Sequence, residues 1–216
     1  MGLKERHERE REGVARQILD AARELFVVEG YRNVSIRKIA EKIEYSPAAI
    51  YSYFASKDDI FLALAEEGFH LLFEMAECSR QEHSHAEPIE CIRSGFLTVY
   101  EFSKAYPQHF SLMFVDRSVP RIMEEWQRFG FVREMRAQFI DLIRQAIAEG
   151  LFPADCNPEV VFRVLMVATQ GISVMRISDR LLPNEDADAL ARTALDAALT
   201  GLRTGFPHTY RPEEFF

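Results

Sequence analysis

Residues 46–57 read SPAAIYSYFASK, a run holding two phenols, three serines and one lysine. On a helix Tyr51 and Tyr53, two apart, diverge, so their hydroxyls can reach phosphate oxygens on either side of a groove while the rings pack against sugars. Small residues at the start of such a helix, here Pro47, Ala48 and Ala49, let its backbone approach base edges. Lys57, opening the next helix, adds its charge to that helix's N-terminal dipole and makes a seat for one phosphate. Ser35, with the amides it caps, and Arg37 can do the same on the other side. The chemistry of this set is anion and base-edge recognition.

Other chemistry-bearing groups do not assemble into a pattern. Cys78, His83, His85 and Glu87 stand close together but lack zinc spacing and lie in a polar stretch, which reads as a solvated loop. "HAEP" resembles a deaminase H-x-E, without the P-C-x-x-C partner such a site needs. GxGxxG, GxxxxGK[ST] and GxSxG are all missing, so neither a phosphate-cradling loop nor a nucleophile elbow is expected. The chain is expected not to be an enzyme and to need no metal or cofactor. Three cysteines, an odd number without CxxC spacing, suit a reducing compartment and thiols that act as small hydrophobes.

These groups must be positioned by helices. Nearly every segment follows helical period and none shows sustained alternation, so an all-α fold of about nine helices is expected. Val14, Ile18, Ala21, Ala22 and Leu25 mark a first helix from about 8 to 29, closed by Gly30. Ser35 is a natural N-cap for a two-turn helix striped with Ile36, Ile39, Ala40 and Ile43. Ser46 followed by Pro47 repeats the start signal after a short turn. Ser56 with Asp59 forms a capping box opening a helix to about 78. Prolines 88, 107, 120 and 158 then suggest helices near 88–104, 107–114, 120–149 and 158–178, with a last one at 185–203. Two short helices joined by a tight turn behind a longer one make a helix-turn-helix, whose second helix, about 10–12 Å across, fits a major groove about 12 Å wide.

Residues 14–60 closely resemble the N-terminal domain of the TetR family of bacterial transcriptional regulators. The family pattern of "LF…G", then T/S-[VI]-R-x-IA, then S-x-x-x-[LI]-Y-x-[YH]-F-x-[SN]-K-[ED]-x-[LI] stands here as "LFVVEGYRNVSIRKIA" and "SPAAIYSYFASKDDI". The resemblance implies a DNA-binding domain at 1–56 and a helical effector-binding and dimerisation domain at 57–216. By that resemblance Ser35, Arg37, Pro47, Ala48, Ala49, Tyr51, Ser52, Tyr53 and Lys57 face DNA, and Ser46, the cap of the second short helix, is counted as DNA-binding with them. One departure stands out: the family's turn usually reads A-G-V, and here it is Ile43, Glu44, Tyr45. A non-glycine residue there either costs about 1 kcal/mol or forces another turn shape, and a carboxylate repels phosphate.

Net charge is −8, yet residues 1–57 hold 11 Lys+Arg against 9 Asp+Glu, while residues 58–216 hold 15 against 25. Only the N-terminal quarter suits a polyanion. In the body, Phe69, Phe73, Phe96, Tyr100, Phe110, Met113, Trp126, Phe139, Met166 and Gln170 are the candidates to line a pocket for a lipophilic or aromatic effector. The small stripe Ala187, Ala191, Ala194, Ala198 and Gly201 suggests homodimerisation through the last two helices, which would set two reading heads on a palindromic double-stranded operator. The expected function is a dimeric repressor released by a small molecule. A redox-responsive regulator using Cys78 and Cys91, and a ligand-binding protein with a non-functional DNA domain, are the alternatives. Apolar runs shorter than about 20 residues argue against a membrane span. The charged "MGLKERHEREREG" lacks a signal's apolar core, so a cytoplasmic location is expected.

Overall fold

The computed structural model describes residues 3–122 and 128–205. Among them are nine α-helices and no strand: α1 Leu3–Glu29, α2 Ile36–Lys42, α3 Pro47–Tyr51, α4 Lys57–Glu82, α5 Pro88–Ala105, α6 Pro107–Phe110, α7 Gly130–Ala148, α8 Pro158–Ile177 and α9 Ala187–Thr204. A 3₁₀ turn covers Tyr31–Asn33 and a π-helical turn covers Ser111–Val115. The chain divides into two compact units, the described residues of Met1–Phe69 with Tyr106–Phe129, and those of His70–Ala105 with Gly130–Phe216. The dividing line therefore differs from residue 56, and the first unit gains a segment from the middle of the chain. The reason is long-range: the Phe69 ring meets Phe114 at 6.0 Å and Phe129 at 5.8 Å, and His109 Nε2 lies 3.3 Å from Glu67.

In the first unit each short helix starts where a serine satisfies its free amides. Ser35 Oγ accepts from Lys38 N at 3.3 Å and Ser46 Oγ from Ala49 N at 3.1 Å. Ser56 Oγ accepts from Asp59 N at 3.0 Å, which is the N-cap half of the expected capping box, and donates to the Asp59 carboxylate at 2.7 Å. Ile18, Ala22, Phe26, Ile39, Ile50, Ile60 and Phe61 are fully or almost fully buried and bind α1 to α4 into one core.

Two helix expectations need correction. The helix foreseen over 107–114 is a single α-turn followed by the π-helical turn. The described part of the helix foreseen over 120–149 begins only at Gly130, with Arg128 and Phe129 in a turn, because a glycine costs about 1 kcal/mol inside a helix but little at its start.

In the second unit Ile92, Phe96, Ile143, Phe152, Val161, Leu165, Leu195 and Leu199 form the main core of α5, α7, α8 and α9. Helix α8 is by length and composition apolar enough to cross a membrane, with mean hydropathy 1.5, but it packs on α5, α7 and α9, with Val161, Leu165, Thr169 and Ile172 buried. The alanine stripe of α9 also belongs here. Ala191 is fully buried against Tyr100 and Ile172, Ala187 and Ala194 pack on the same cluster, and Ala198 joins the main core. These four alanines form an intramolecular seam, since small side chains let α9 approach α5 and α8 closely, while nothing lies within 4 Å of the place a Gly201 Cβ would occupy.

Candidate nucleic-acid interface

The turn between α2 and α3 sets the direction of α3. Tyr45 N donates to Ala40 O at 2.9 Å and Glu44 N to Glu41 O at 3.3 Å, the two bonds of a Schellman motif. The position that usually takes glycine is held by Glu44, at φ 59°. The turn therefore keeps the left-handed shape with a glutamate in it, and the exposed carboxylate remains beside α3.

Helix α3 is anchored through Ile50, fully buried, and turns Ser46, Pro47, Ala48, Tyr51 and Ser52 to solvent, Tyr51 at 56% exposure. Ala49 and Tyr53 are partly covered. Ser52 Oγ donates to Ala49 O at 2.7 Å. Tyr53 carries the guanidinium of Arg11 over its ring, 5.9 Å from the centroid. On α2, Ser35 and Arg37 are exposed, and Arg37 Nε donates to Glu41 at 2.8 Å. That exposed i,i+4 pair is worth only about 0.3–0.5 kcal/mol, so a phosphate can replace the carboxylate at little cost.

Lys57 departs from its expected role. Its ammonium donates to Tyr31 O at 2.8 Å and Val34 O at 2.9 Å, and lies 4.0 Å from the centroid of the Tyr31 ring. Burial lowers its pKa, with the Asp58 carboxylate opposing that shift. Two of its three protons are thus committed to carbonyls of the segment ahead of α2, so the side chain braces the domain instead of presenting a free charge. Tyr31 completes the brace. Its ring packs on Phe26 at 5.0 Å and Phe61 at 5.8 Å, its hydroxyl donates to Asp58, and burial followed by that carboxylate raises its pKa.

The second unit contains a cavity of about 90 Å³ walled by α4, α5 and α7. Phe73, Ala76, Met135, Phe139 and Leu142 supply apolar surface, and Cys91, Ser94, Gln138, Glu77 and Arg80 supply polar groups, with Arg80 Nε donating to Glu77 at 2.9 Å. Of the ten residues expected to line a pocket, Phe73 and Phe139 line this cavity. Phe96 and Tyr100 are buried core, Tyr100 donating its hydroxyl to Asp188 at 2.7 Å, and Met166 packs on the main core. Phe69, Phe110 and Met113 belong to the first unit, Gln170 does not reach this cavity, and Trp126 lies outside the described residues. Aromatic content marked large side chains, and large side chains fill cores first. The lining residues that were missed follow from helical spacing along α4, where Phe73, Ala76, Glu77 and Arg80 share a face. In the loop, His83 Nδ1 lies 2.8 Å from Ser79 O, and the Cys91 thiol contacts His83 O at 3.4 Å, so both groups are occupied locally.

The family profile described as bacterial regulatory proteins, tetR family, matches residues 18–64, which contain α2, the turn after it and α3. A curated relative in Mycobacterium tuberculosis (strain ATCC 25618 / H37Rv), the HTH-type transcriptional repressor Rv1474c, is 44% identical over 181 residues, covering 82% of this chain and 86% of that protein. The chain belongs to the TetR family. Among TetR-like solved structures, the fatty acid degradation regulator FadR from Bacillus halodurans shares 18% identity, with a TM-score of 0.67 over 88% of this chain and 96% of that one. The ketosteroid transcriptional regulator KstR2 of Mycobacterium tuberculosis shares 22%, with a TM-score of 0.65 over 88% and 94%. These two likenesses extend the TetR fold to the second unit, beyond the segment matched by the family profile. As a TetR-family protein with repressors among its relatives, the chain is a DNA-binding regulator of transcription.

Proposed function

We propose that the protein is a homodimeric repressor that reads a palindromic operator with α3 and leaves it when a lipophilic molecule enters the cavity of the second unit. The observation that carries the reading is the two-sidedness of α3: Ile50 is fully buried while its neighbour Tyr51 is more than half exposed, beside the small residues Pro47 and Ala48. A five-residue helix that presents a phenol and almost no bulk beside it suits close approach to a groove. Tyr51, Ser46, Ser35 and Arg37 are the phosphate and base-edge contacts in this reading, and Lys57 acts by holding the segment before α2.

Dimerisation falls to the outer face of α8. Val167, Gly171 and Met175 stand at i, i+4, i+8, with Val167 61% exposed and nothing within 4 Å of the place a Gly171 Cβ would occupy. An apolar stripe with a glycine at its centre suits the same stripe of a second copy around a two-fold axis. Two heads so paired would meet half-sites about 34 Å apart.

The cavity walls favour an apolar effector with a small polar end. At about 90 Å³ it is well below the 300 Å³ or more of a typical ligand site, so an effector must displace side chains to enter. Helix α4 carries Lys57 of the brace near its start and, further along the chain, Phe73 and Arg80 of the cavity. The names of two neighbours, a fatty acid degradation regulator and a ketosteroid regulator, agree with a lipophilic class. A cytoplasmic site of action follows from the same reading.

The test is selection of random duplexes by the purified protein, followed by titration of Tyr51→Ala and sedimentation of Val167→Glu. An enriched palindrome, lost by Tyr51→Ala with the dimer intact, supports the reading. Absence of any enriched sequence, or a Val167→Glu variant that remains dimeric, overturns the corresponding part.

A further inference from the structure

The charged segment ahead of the family-matched region is helical, because α1 begins at Leu3. His7, Arg11 and Val14 fall at i, i+4, i+7 and share a face. With Glu10, and with Ser52 and Tyr53 from the end of α3, they line a solvent-open hollow of about 420 Å³. The volume is on the order of ten water molecules, enough for a phosphodiester group with part of its hydration shell.

The charges in this neighbourhood are unevenly committed. Arg37 is paired with Glu41, Lys38 with Glu29, Lys42 with Glu24, and Lys57 with two carbonyls. Arg11, by contrast, is exposed and makes no ion pair among the described residues, and its guanidinium is held over the Tyr53 ring. Glu10, the acid lining the hollow, is drawn off by Arg6 Nε at 2.9 Å. A cation over an aromatic face at an exposed site is weakly favoured there, while all five N–H donors stay available at its edge.

We infer that this hollow seats a backbone phosphate of the operator, outside the base pairs read by α3, with Arg11 as the binding cation and the Tyr53 hydroxyl and a His7 ring N–H as further donors. The inference rests on the DNA-binding reading above. It makes Tyr53 a residue that acts twice, as support for Arg11 and as a donor. It also extends the interface to a residue ahead of the matched segment 18–64.

The experiment uses the full-length protein and the duplex enriched by selection, with dissociation constants measured over a series of KCl concentrations for the parent, Arg11→Gln, Arg11→Lys and Tyr51→Ala. Each neutralised phosphate contributes about 0.9 to the slope of log K against log salt. Arg11→Gln in both subunits should therefore reduce the slope by about 1.8, weaken binding equally on the best and on scrambled duplexes, and leave their ratio unchanged. Arg11→Lys should retain the slope. A neutral methylphosphonate at the seated position should erase the difference between parent and Arg11→Gln. An unchanged slope for Arg11→Gln, with Tyr51→Ala still damaging, overturns the phosphate seat and leaves the DNA reading intact. A parent that selects no duplex overturns both. Inorganic phosphate binding that depends on Arg11 while the operator slope does not would mark an anion site unrelated to DNA, and overturns the inference too.

Discussion

Glu44→Gly tests the turn that sets the reading helix. Glu44 sits at φ 59° in a position where two backbone bonds fix the chain. A side chain in that region costs on the order of 1–2 kcal/mol relative to right-handed backbone. Glycine removes that cost but adds unfolded-state freedom worth about 0.5–1 kcal/mol. The balance is a gain of about 0–1.5 kcal/mol, or up to roughly 6 °C in melting temperature for a chain of this size. The carboxylate adds a separate effect on DNA. At a separation of ~10 Å in water, its repulsion of a phosphate is about 0.4 kcal/mol, and less at physiological salt. Removing it should tighten operator binding about twofold per head in dilute buffer. Glu44→Gln separates the two, since it keeps the strained backbone and loses the charge. Thermal unfolding followed by circular dichroism and operator titration at two salt concentrations provide the readouts. A glycine variant that melts below the parent would refute the strain argument. A glutamine variant that binds as the parent does in dilute buffer would show that the carboxylate faces away from the phosphates.

Lys57→Met should destabilise the first unit by about 1–3 kcal/mol by leaving the Tyr31 and Val34 carbonyls without their donor; a variant of unchanged denaturation midpoint that nevertheless loses DNA would restore Lys57 as a phosphate contact. Gly95→Ala should reshape the cavity, because a Cβ there would lie 2.6 Å from Phe139 Cε1. Overpacking of that kind costs about 1–3 kcal/mol, and the variant should bind operator but respond weakly to effectors in a release assay; a full response would place the effector elsewhere. Glu67 is held at about 2 by His109, with burial opposing and Arg16 assisting. Because its folded pKa is depressed, its contribution is fully present above about 4.5 and disappears as pH falls towards 2. Denaturation midpoints between pH 6 and 3 should therefore decline less steeply for Glu67→Gln than for the parent, and equal slopes would remove Glu67 from the account.

Local chemistry decided much of the reading surface, and local chemistry is written in the chain. Ser35, Ser46 and Ser56 cap their helices from within three residues, Pro47 opens α3, and Ile50 repeats the apolar phase of α2, so the helices, their turn and the exposed Tyr51 follow from neighbours in sequence. The unusual Glu44 was visible there as well, though which of two turn shapes it takes depends on bonds back to Ala40 and Glu41. Tertiary packing decided the rest. Lys57 points at carbonyls 23 and 26 residues earlier, Arg11 finds Tyr53 from another helix, and Ala191 is spent against Tyr100. The cavity follows the same rule, since a wall shared by α4, α5 and α7 depends on how three helices are rotated against one another. Periodicity gives each helix an apolar face, but only the packed structure says which neighbour that face meets.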